Sequence, residues 1–369
     1  MKNFNLIENR LKLLVQELLP LDEKVEKISN KDENKKKLAE AKAYYQDALE
    51  LFNKVKTEKN LSSNDARKRI FSDIIKAQVE IDFINNPDVD PTNGWVRHQF
   101  IDIDDDGAQE LMIDTQLQTL FFNPRLSGAV VEYDYKPRKA NLVNTFSEKQ
   151  LDLSLVEAII PKVLVPASNE PALILLNRIS AQAASLSECH INRHAPDLIS
   201  VRFNKTLVND KNAEFKLYKD VIVKSGIGAY LNNATTGFSW EYWIEGENKP
   251  EEEDIFLNQV SFMLPSFSLD GISLRPLSTF GGVSDSAFEL ARGKAFEYKE
   301  VEGGLYGVRI IDGIANFVID VRSAKAINKC LVFPLVVNSV FYGVTIHFYV
   351  EAKRIFEDTK ANTIFFSIM

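Results

Sequence analysis

The feature that most limits how this chain can fold is a change of texture near residue 86. Before it the sequence holds no glycine and a single proline, Pro20. Leu6, Leu13, Leu14 and Leu18 recur at helical spacing. So do Ala41, Tyr44, Ala48, Leu51, Phe52 and Val55, and then Ile70, Ile74, Ile75, Val79 and Phe83. The spacing predicts three helices, over 4–19, 33–58 and 65–84. Pro20 stops the first, and Ser63 or Asn64 caps the third. The charge run KDENKKK reads as a solvated helix start.

The turn-forming cluster NNPDVDPTNG (85–94) then ends the helical part, with the joint near Pro87 and Pro91. Beyond it, short alternating runs such as LMIDTQLQTLFF, GAVVEYDY, LISVRFNKTLV, FKLYKDVIV and NFVIDVRS lie between Gly, Pro, Asn and Asp clusters. Such runs make a large antiparallel sandwich rather than a parallel sheet with crossover helices. The expected fold is mainly β with an N-terminal α segment: a helical domain over 1–86 and a β-sandwich over 87–369, each separately packed. LSLVEAIIPKVLVP and PALILLNRISAQAASL (171–186) stay ambiguous, and the second is compatible with a helix.

Composition narrows the partners. Hydrophobic content of 45% and charged content of 26% are those of a globular protein with a real core. A net charge of −8 argues against nucleic acid or an anionic membrane as the main partner. No segment reaches the ~18 apolar residues that spanning a bilayer needs, and MKNFNLIENRLKLL lacks a signal-type apolar run. Two cysteines, Cys189 and Cys330, are too few for a disulfide scaffold, so the cytoplasm is the expected compartment. One long-range disulfide stays open on sequence grounds.

FIDIDDDGAQELMID (100–114) is the most pointed local motif. Asp102, Asp104 and Asp106 alternate before Gly107, a spacing that turns several oxygens toward one hard cation. An EF-hand loop needs its bidentate glutamate at position 113, where Ile113 stands, but Glu110 can close a shorter loop. The same residues read as a β-hairpin, with Ile101 and Ile103 before the turn and Leu111 and Ile113 after it. Hairpin and calcium are compatible, so calcium is the one cofactor expected.

The stretch from Asp102 onward resembles the opening of the C-terminal β-sandwich of family 57 glycoside hydrolases, the 4-α-glucanotransferase and α-amylase type. The positions that carry the resemblance are Asp102, Asp106, Gly107 and Glu110, then Pro124 and Gly128. Glu132, Asp134 and Pro137 follow, and then Asn141, Leu142, Asn144 and Thr145. Ser127 departs from the usual turn glycine, and SEKQLDL replaces the basic, histidine-containing run that tends to follow. Weaker likeness runs through AEFKLYKDVIVKSGIGAYLNNATTGFSWEYWIE, FMLPS and LVFPLVVNS, and RIFSDIIKAQVEID resembles the helices that link barrel to sandwich. The resemblance implies a supersandwich of the kind shared with mutarotase-like sugar domains.

It also implies what is missing. Family 57 enzymes cleave with a glutamate and an aspartate held on an N-terminal barrel, two carboxyls fixed across the scissile bond. None of the 52 acidic residues here lies in a matching catalytic motif. The implied role is a non-catalytic accessory module, not an enzyme on its own, with α-glucan or a separately encoded catalytic barrel as its partner. Two rivals stand beside it: a scaffold that lost sugar binding, and an aldose-epimerase-like enzyme needing a histidine beside a carboxylate in a cleft.

The remaining clusters are weaker. Cys189, His190 and His194 in ECHINRH offer metal ligands without a second cluster. LSTFGGVSDSAF (277–288) lacks the lysine of a phosphate loop. FSWEYWIEGEN (238–248) is richer: on a strand, Trp240 and Tyr242 share one face, and Glu241 and Trp243 the other. Rings beside carboxylates suit a glucan surface, and they equally suit one core-packed face with an exposed tryptophan. Trp95 is the third tryptophan, placed to cap the sandwich.

Overall fold

The computed structural model describes residues 2–58, 64–87, 94–126, 128–143, 155–162, 165, 187–225, 236–264, 273–276, 288–289, 296–299, 307–312, 315–323, 327–337, 340–357 and 362–368. Helices come first: α1 (Lys2–Leu18), α2 (Leu21–Val25), α3 (Lys31–Glu58) and α4 (Asn64–Asn85). Pro20, with φ −76°, ends α1 and caps the one-turn α2. Asp32 and Glu33 sit in the first turn of α3, where acidic side chains favour the helix dipole. Ser63, Pro91 and the segment 171–186 lie outside the described residues.

Strands follow as β1 (Val96–Ile101), β2 (Glu110–Thr115), β3 (Gln118–Asn123), β4 (Ala129–Tyr135), β5 (Ala140–Asn141), β6 (Val156–Pro161), β7 (Glu188–Ala195), β8 (Leu198–Val208), β9 (Glu214–Lys224) and β10 (Thr236–Glu245). Next come β11 (Asp254–Met263), β12 (Ser273–Pro276), β13 (Phe288–Glu289), β14 (Phe296–Lys299), β15 (Gly307–Asp312), β16 (Ala315–Ser323), β17 (Ile327–Val337) and β18 (Val340–Glu351). A short helix, α5 (Ala352–Glu357), precedes β19 (Asn362–Ile368). All pairings among the described residues are antiparallel. They form a nine-stranded sheet, β13-β12-β15-β16-β19-β10-β9-β8-β7, and two five-stranded sheets, β1-β2-β3-β4-β5 and β14-β17-β18-β11-β6.

The layers follow from alternation. Val201, Phe203, Val221, Val223 and Trp240 of the nine-stranded sheet share one core with Leu111, Ile113 and Phe122 of the first small sheet. Phe256, Val260 and Ile346 of the second small sheet join that same core. The mainly β sandwich behind N-terminal helices is therefore the fold. At Gly128, φ is +66°, and a Cβ there would lie 2.4 Å from the Phe203 ring, so the turn before β4 needs glycine twice over. Among the described residues no helix is long and apolar enough to cross a membrane.

The helices and the sandwich are not separately packed. Leu14, Phe52, Ile70, Ile74 and their neighbours form one buried cluster with Met112 and Phe121 of the first small sheet and Ile103 of the loop between β1 and β2. The change in periodicity and the packing boundary do not coincide, because that sheet is apolar on both faces and needs the helices as a lid.

Ion pairs fasten the lid. Arg10 of α1, only 2% exposed, places Nε 2.9 Å from Glu132 and Nη2 2.7 Å from Asp134, with its guanidinium 5.0 Å from the Phe121 ring centre. Asn141 Nδ2 donates to Asp134 at 2.8 Å. In a second cluster Lys136 Nζ donates to Asp82 of α4 at 2.6 Å and to Asp114 of β2 at 2.7 Å. Arg97 of β1 reaches both of those carboxylates, at 3.2 and 2.7 Å. Burial pushes the Asp82 carboxyl up to about 6. Burial opposes ionisation of Asp114 too, but Lys136 and Arg97 outweigh it and hold that carboxyl low.

A third charge cluster lies between the sheets. Glu157 of β6 meets Lys219 at 3.0 Å and Lys205 at 3.6 Å, all three nearly fully buried. Burial, with Lys219 adding to it, lowers Lys205 from its ordinary 10.5 to about 8. Two ammonium groups thus share one carboxylate.

Arg10→Met leaves Glu132 and Asp134 buried without their cation and should cost about 3–5 kcal/mol in urea unfolding. Asp22→Ala, which breaks the exposed Asp22–Lys42 pair, should cost less than about 0.5 kcal/mol. Equal losses would contradict the assignment of the joint to the buried pair. Between the sheets, Glu157→Gln strands two ammonium groups and should cost a similar 3–5 kcal/mol or so, whereas Lys205→Met leaves a matched pair and should cost under about 1 kcal/mol. Because the folded pKa of Lys205 is depressed, its contribution to stability is present above 10.5 and is lost as pH falls through about 8. Stability should rise over that window, and Lys205→Met should flatten the rise.

Candidate functional site

The acidic hairpin joins β1 to β2, and the chain curls through left-handed residues at Asp105 (φ 58°) and Gly107 (φ 81°). The curl brings one carboxylate oxygen each of Asp102, Asp104 and Asp106 within 4.8 Å of one another. Backbone amides brace the loop. Asp106 N and Gly107 N donate to the two oxygens of Asp102 at 3.1 and 3.0 Å, and Ala108 N donates to Asp106 at 2.8 Å. Glu110 is fully buried. Its Oε2 accepts from Ile103 N at 3.0 Å, while its Oε1 has no hydrogen-bond partner. Burial, with the charges of Asp104 and Asp106 beside it, pushes this carboxyl up to about 7. The hairpin is also tied to the helices: Ile103 is in their core, and Asn9 Nδ2 donates to its carbonyl at 3.2 Å.

The aromatic strand requires a correction. Trp240 and Tyr242 of β10 are fully buried in the sandwich core, with Tyr242 packed 4.9 Å from Phe256. Neither ring is open to a sugar. Alternation places residues 240 and 242 on one face but does not say which face turns inward. Glu241 and Trp243 do face out. The Trp243 ring stacks on Tyr218 at 5.1 Å and 11°, Arg202 lies 4.8 Å from its centre, and its Nε1 donates to Glu245 at 3.2 Å. Glu241 accepts from Thr363 Oγ1 at 3.1 Å.

The histidines divide three ways. His98 and His194 pack edge to face, 4.8 Å apart. His190 meets Glu188 at 3.7 Å on an exposed strand edge. His347 is buried, its Nδ1 3.0 Å from the Tyr349 hydroxyl, and burial lowers it to about 3. ECHINRH is thus edge strand β7, and among the described residues the three-ligand cluster that could hold a metal is the aspartate group. Cys189 and Cys330 are free thiols, and burial raises Cys189 to about 12. Most of 277–288 lies outside the described residues.

Sequence reasoning missed a cleft of about 470 Å³ at the seam between α4 and the first small sheet. Phe83 and Trp95 supply rings, and Glu80, Gln116, Lys136 and Lys139 supply polar groups. Phe83, which helical spacing assigns to the core, is 43% exposed here. The Trp95 ring has Arg97 5.2 Å and Lys136 5.0 Å from its centre. Gln116 Oε1 is buried without a hydrogen-bond partner. The available signal was Trp95 itself, a large ring directly after a turn cluster.

Residues 102–150 match the family described as alpha-amylase/4-alpha-glucanotransferase, C-terminal. No curated protein matches the chain in sequence. Among solved structures, 4-alpha-glucanotransferase from Thermococcus litoralis is similar over 99% of this chain, with a TM-score of 0.55 and 13% identity. This chain spans 49% of that one, about half its length. A galactose mutarotase-like protein from Clostridium acetobutylicum is a looser likeness, with a TM-score of 0.46 and 10% identity over 75% of this chain and 98% of its own. In fold, then, the chain is similar along its length to half of a 4-α-glucanotransferase, and in sequence its hairpin-to-β5 region is similar to the C-terminal region of that enzyme class and of α-amylases.

Proposed function

We propose that this chain is a non-catalytic, α-glucan-associated accessory module. The observation that carries the reading is the family match over 102–150, the segment that supplies the hairpin and the joint carboxylates Asp114, Glu132 and Asp134. Fold likeness to a 4-α-glucanotransferase over nearly the whole chain supports it as analogy. Glycosidic cleavage needs two carboxyls facing each other across a substrate. Glu132, Asp134, Asp82 and Asp114 are instead spent on buried cations inside the joint. Any cleavage would come from a catalytic domain outside these residues.

The sugar seat in this reading is the seam cleft. Its volume lies in the range of small-molecule sites, and it pairs apolar rings with a few convergent polar groups. Trp95 offers a ring for a sugar's C–H face, and the unpaired Gln116 carbonyl offers an acceptor for a hydroxyl. The Trp243 platform is a poorer seat, because Tyr218 already stacks face to face on its ring and the ring does not line the cleft.

Maltooligosaccharides titrated against tryptophan fluorescence test this. The expected dissociation constant is weak, about tens of micromolar to millimolar, since one ring contact contributes only about 1 kcal/mol against the cost of ordering. Trp95→Ala should abolish binding and Trp243→Ala should leave it. The opposite pattern would move the seat to Glu241 and Trp243. No binding by the unaltered protein would hand the lead to the scaffold role.

A further inference from the structure

We infer that the buried lysine pair between the nine-stranded sheet and the second small sheet holds a small monovalent anion, of the size and charge of chloride. The first observation is a charge imbalance. Lys205 of β8 and Lys219 of β9 meet the single carboxylate of Glu157, on β6, at 3.6 and 3.0 Å, and all three are buried. One positive charge is left over inside the core. Among the described residues no second carboxylate answers it: the charges that act on Lys205 are Glu157 and Lys219, and on Lys219, Glu157. A buried charge without a counter-ion is among the most costly features a core can carry.

The second observation is a set of unspent hydrogen-bonding groups around that charge. Lys219 Nζ is saturated, donating to the carbonyls of Gly128 and Leu155 and to Glu157 Oε2 at 3.2, 3.3 and 3.3 Å. Lys205 Nζ donates to the Glu157 carbonyl at 2.8 Å, and its other two N–H groups have no acceptor among the described residues. Asn258 stands opposite Glu157 in the β6–β11 ladder, and Tyr242 opposite Lys219 in the β9–β10 ladder. Both are fully buried, and neither the Asn258 amide nor the Tyr242 hydroxyl has a hydrogen-bond partner among the described residues. Burial and the Glu157 charge keep the Tyr242 phenol protonated, hence a donor.

Surplus positive charge beside N–H and O–H donors calls for an anion. Water would satisfy the neutral groups and leave the charge unanswered. Enclosure sets the size: the five side chains are at most 4% exposed, which suits a single-atom anion and not a phosphate or a sugar acid. Such an ion binds the ammonium form of Lys205, which burial and Lys219 lower to about 8, so it stabilises the fold at neutral pH. This inference is independent of the sugar reading.

The test uses the full chain, dialysed free of chloride and melted at fixed ionic strength while chloride replaces glutamate. At neutral pH the melting temperature should rise with chloride and then level off, and bromide should act in the same way. At about pH 10, some two units above the Lys205 titration, the affinity should fall about a hundredfold. Tyr242→Phe should keep the response with affinity weakened about tenfold. Lys205→Met, which removes the surplus charge, should melt at the same temperature in both salts. If that variant fails to fold, crystals of the unaltered protein grown in sodium bromide decide, with an anomalous peak expected beside Lys205 Nζ. Identical melting of the unaltered protein in chloride and glutamate would overturn the inference and leave water as the partner of Tyr242 and Asn258. A chloride response that survives Lys205→Met, or bromide crystals without that peak, would overturn it as well.

Discussion

Arg10 is the point on which the rest of the structure turns. Its guanidinium is out of water, and so are the two carboxylates it meets across the seam, Glu132 and Asp134. Each such ion costs several kcal/mol to desolvate, so neither side is tolerable alone. The helices must therefore cover the first small sheet, and the sheet must sit under the helices. Asp82, Lys136, Asp114 and Arg97 repeat the arrangement at a second point of the seam. Hydrophobic burial through Phe121 and Met112 supplies area, and the charges fix the register.

The seam then determines where ligands can go. Both the acidic hairpin and the Trp95 cleft border the seam: Ile103 of the hairpin packs into the helical core, and Asp82 and Lys136 of the joint line the cleft. Lys136 takes part in both the joint and the cleft, so the wall of a candidate sugar seat is set by the same ammonium that neutralises Asp82 and Asp114. The segment similar to the glucanotransferase C-terminal region, 102–150, contains the hairpin and the inner half of the joint. Its acidic strand is explained by helix docking. No catalytic pair is needed to account for it.

Local signals were legible in the sequence and long-range ones were not. The helices of 1–86 follow from apolar spacing, and the hairpin follows from aspartates two residues apart, because each depends on neighbours along the chain. Arg10 and Asp134 are 124 positions apart, and nothing local marks them as partners. Trp240 and Trp243 show a different limit. Both faces of β10 carry rings, so alternation separates the faces without naming the buried one. Phe83 fails for a related reason: helical spacing puts it on the apolar stripe, but the stripe runs past the edge of the sheet it covers.

The central claim is that helices and sandwich are one cooperative body held by buried charge. Equilibrium unfolding in urea, followed in the same samples by far-UV circular dichroism for the helices and by tryptophan fluorescence for Trp95 and Trp240, tests it most directly. The account predicts a single transition with the two probes superimposed. Loss of helical signal at lower urea, while the fluorescence stays native, would contradict it.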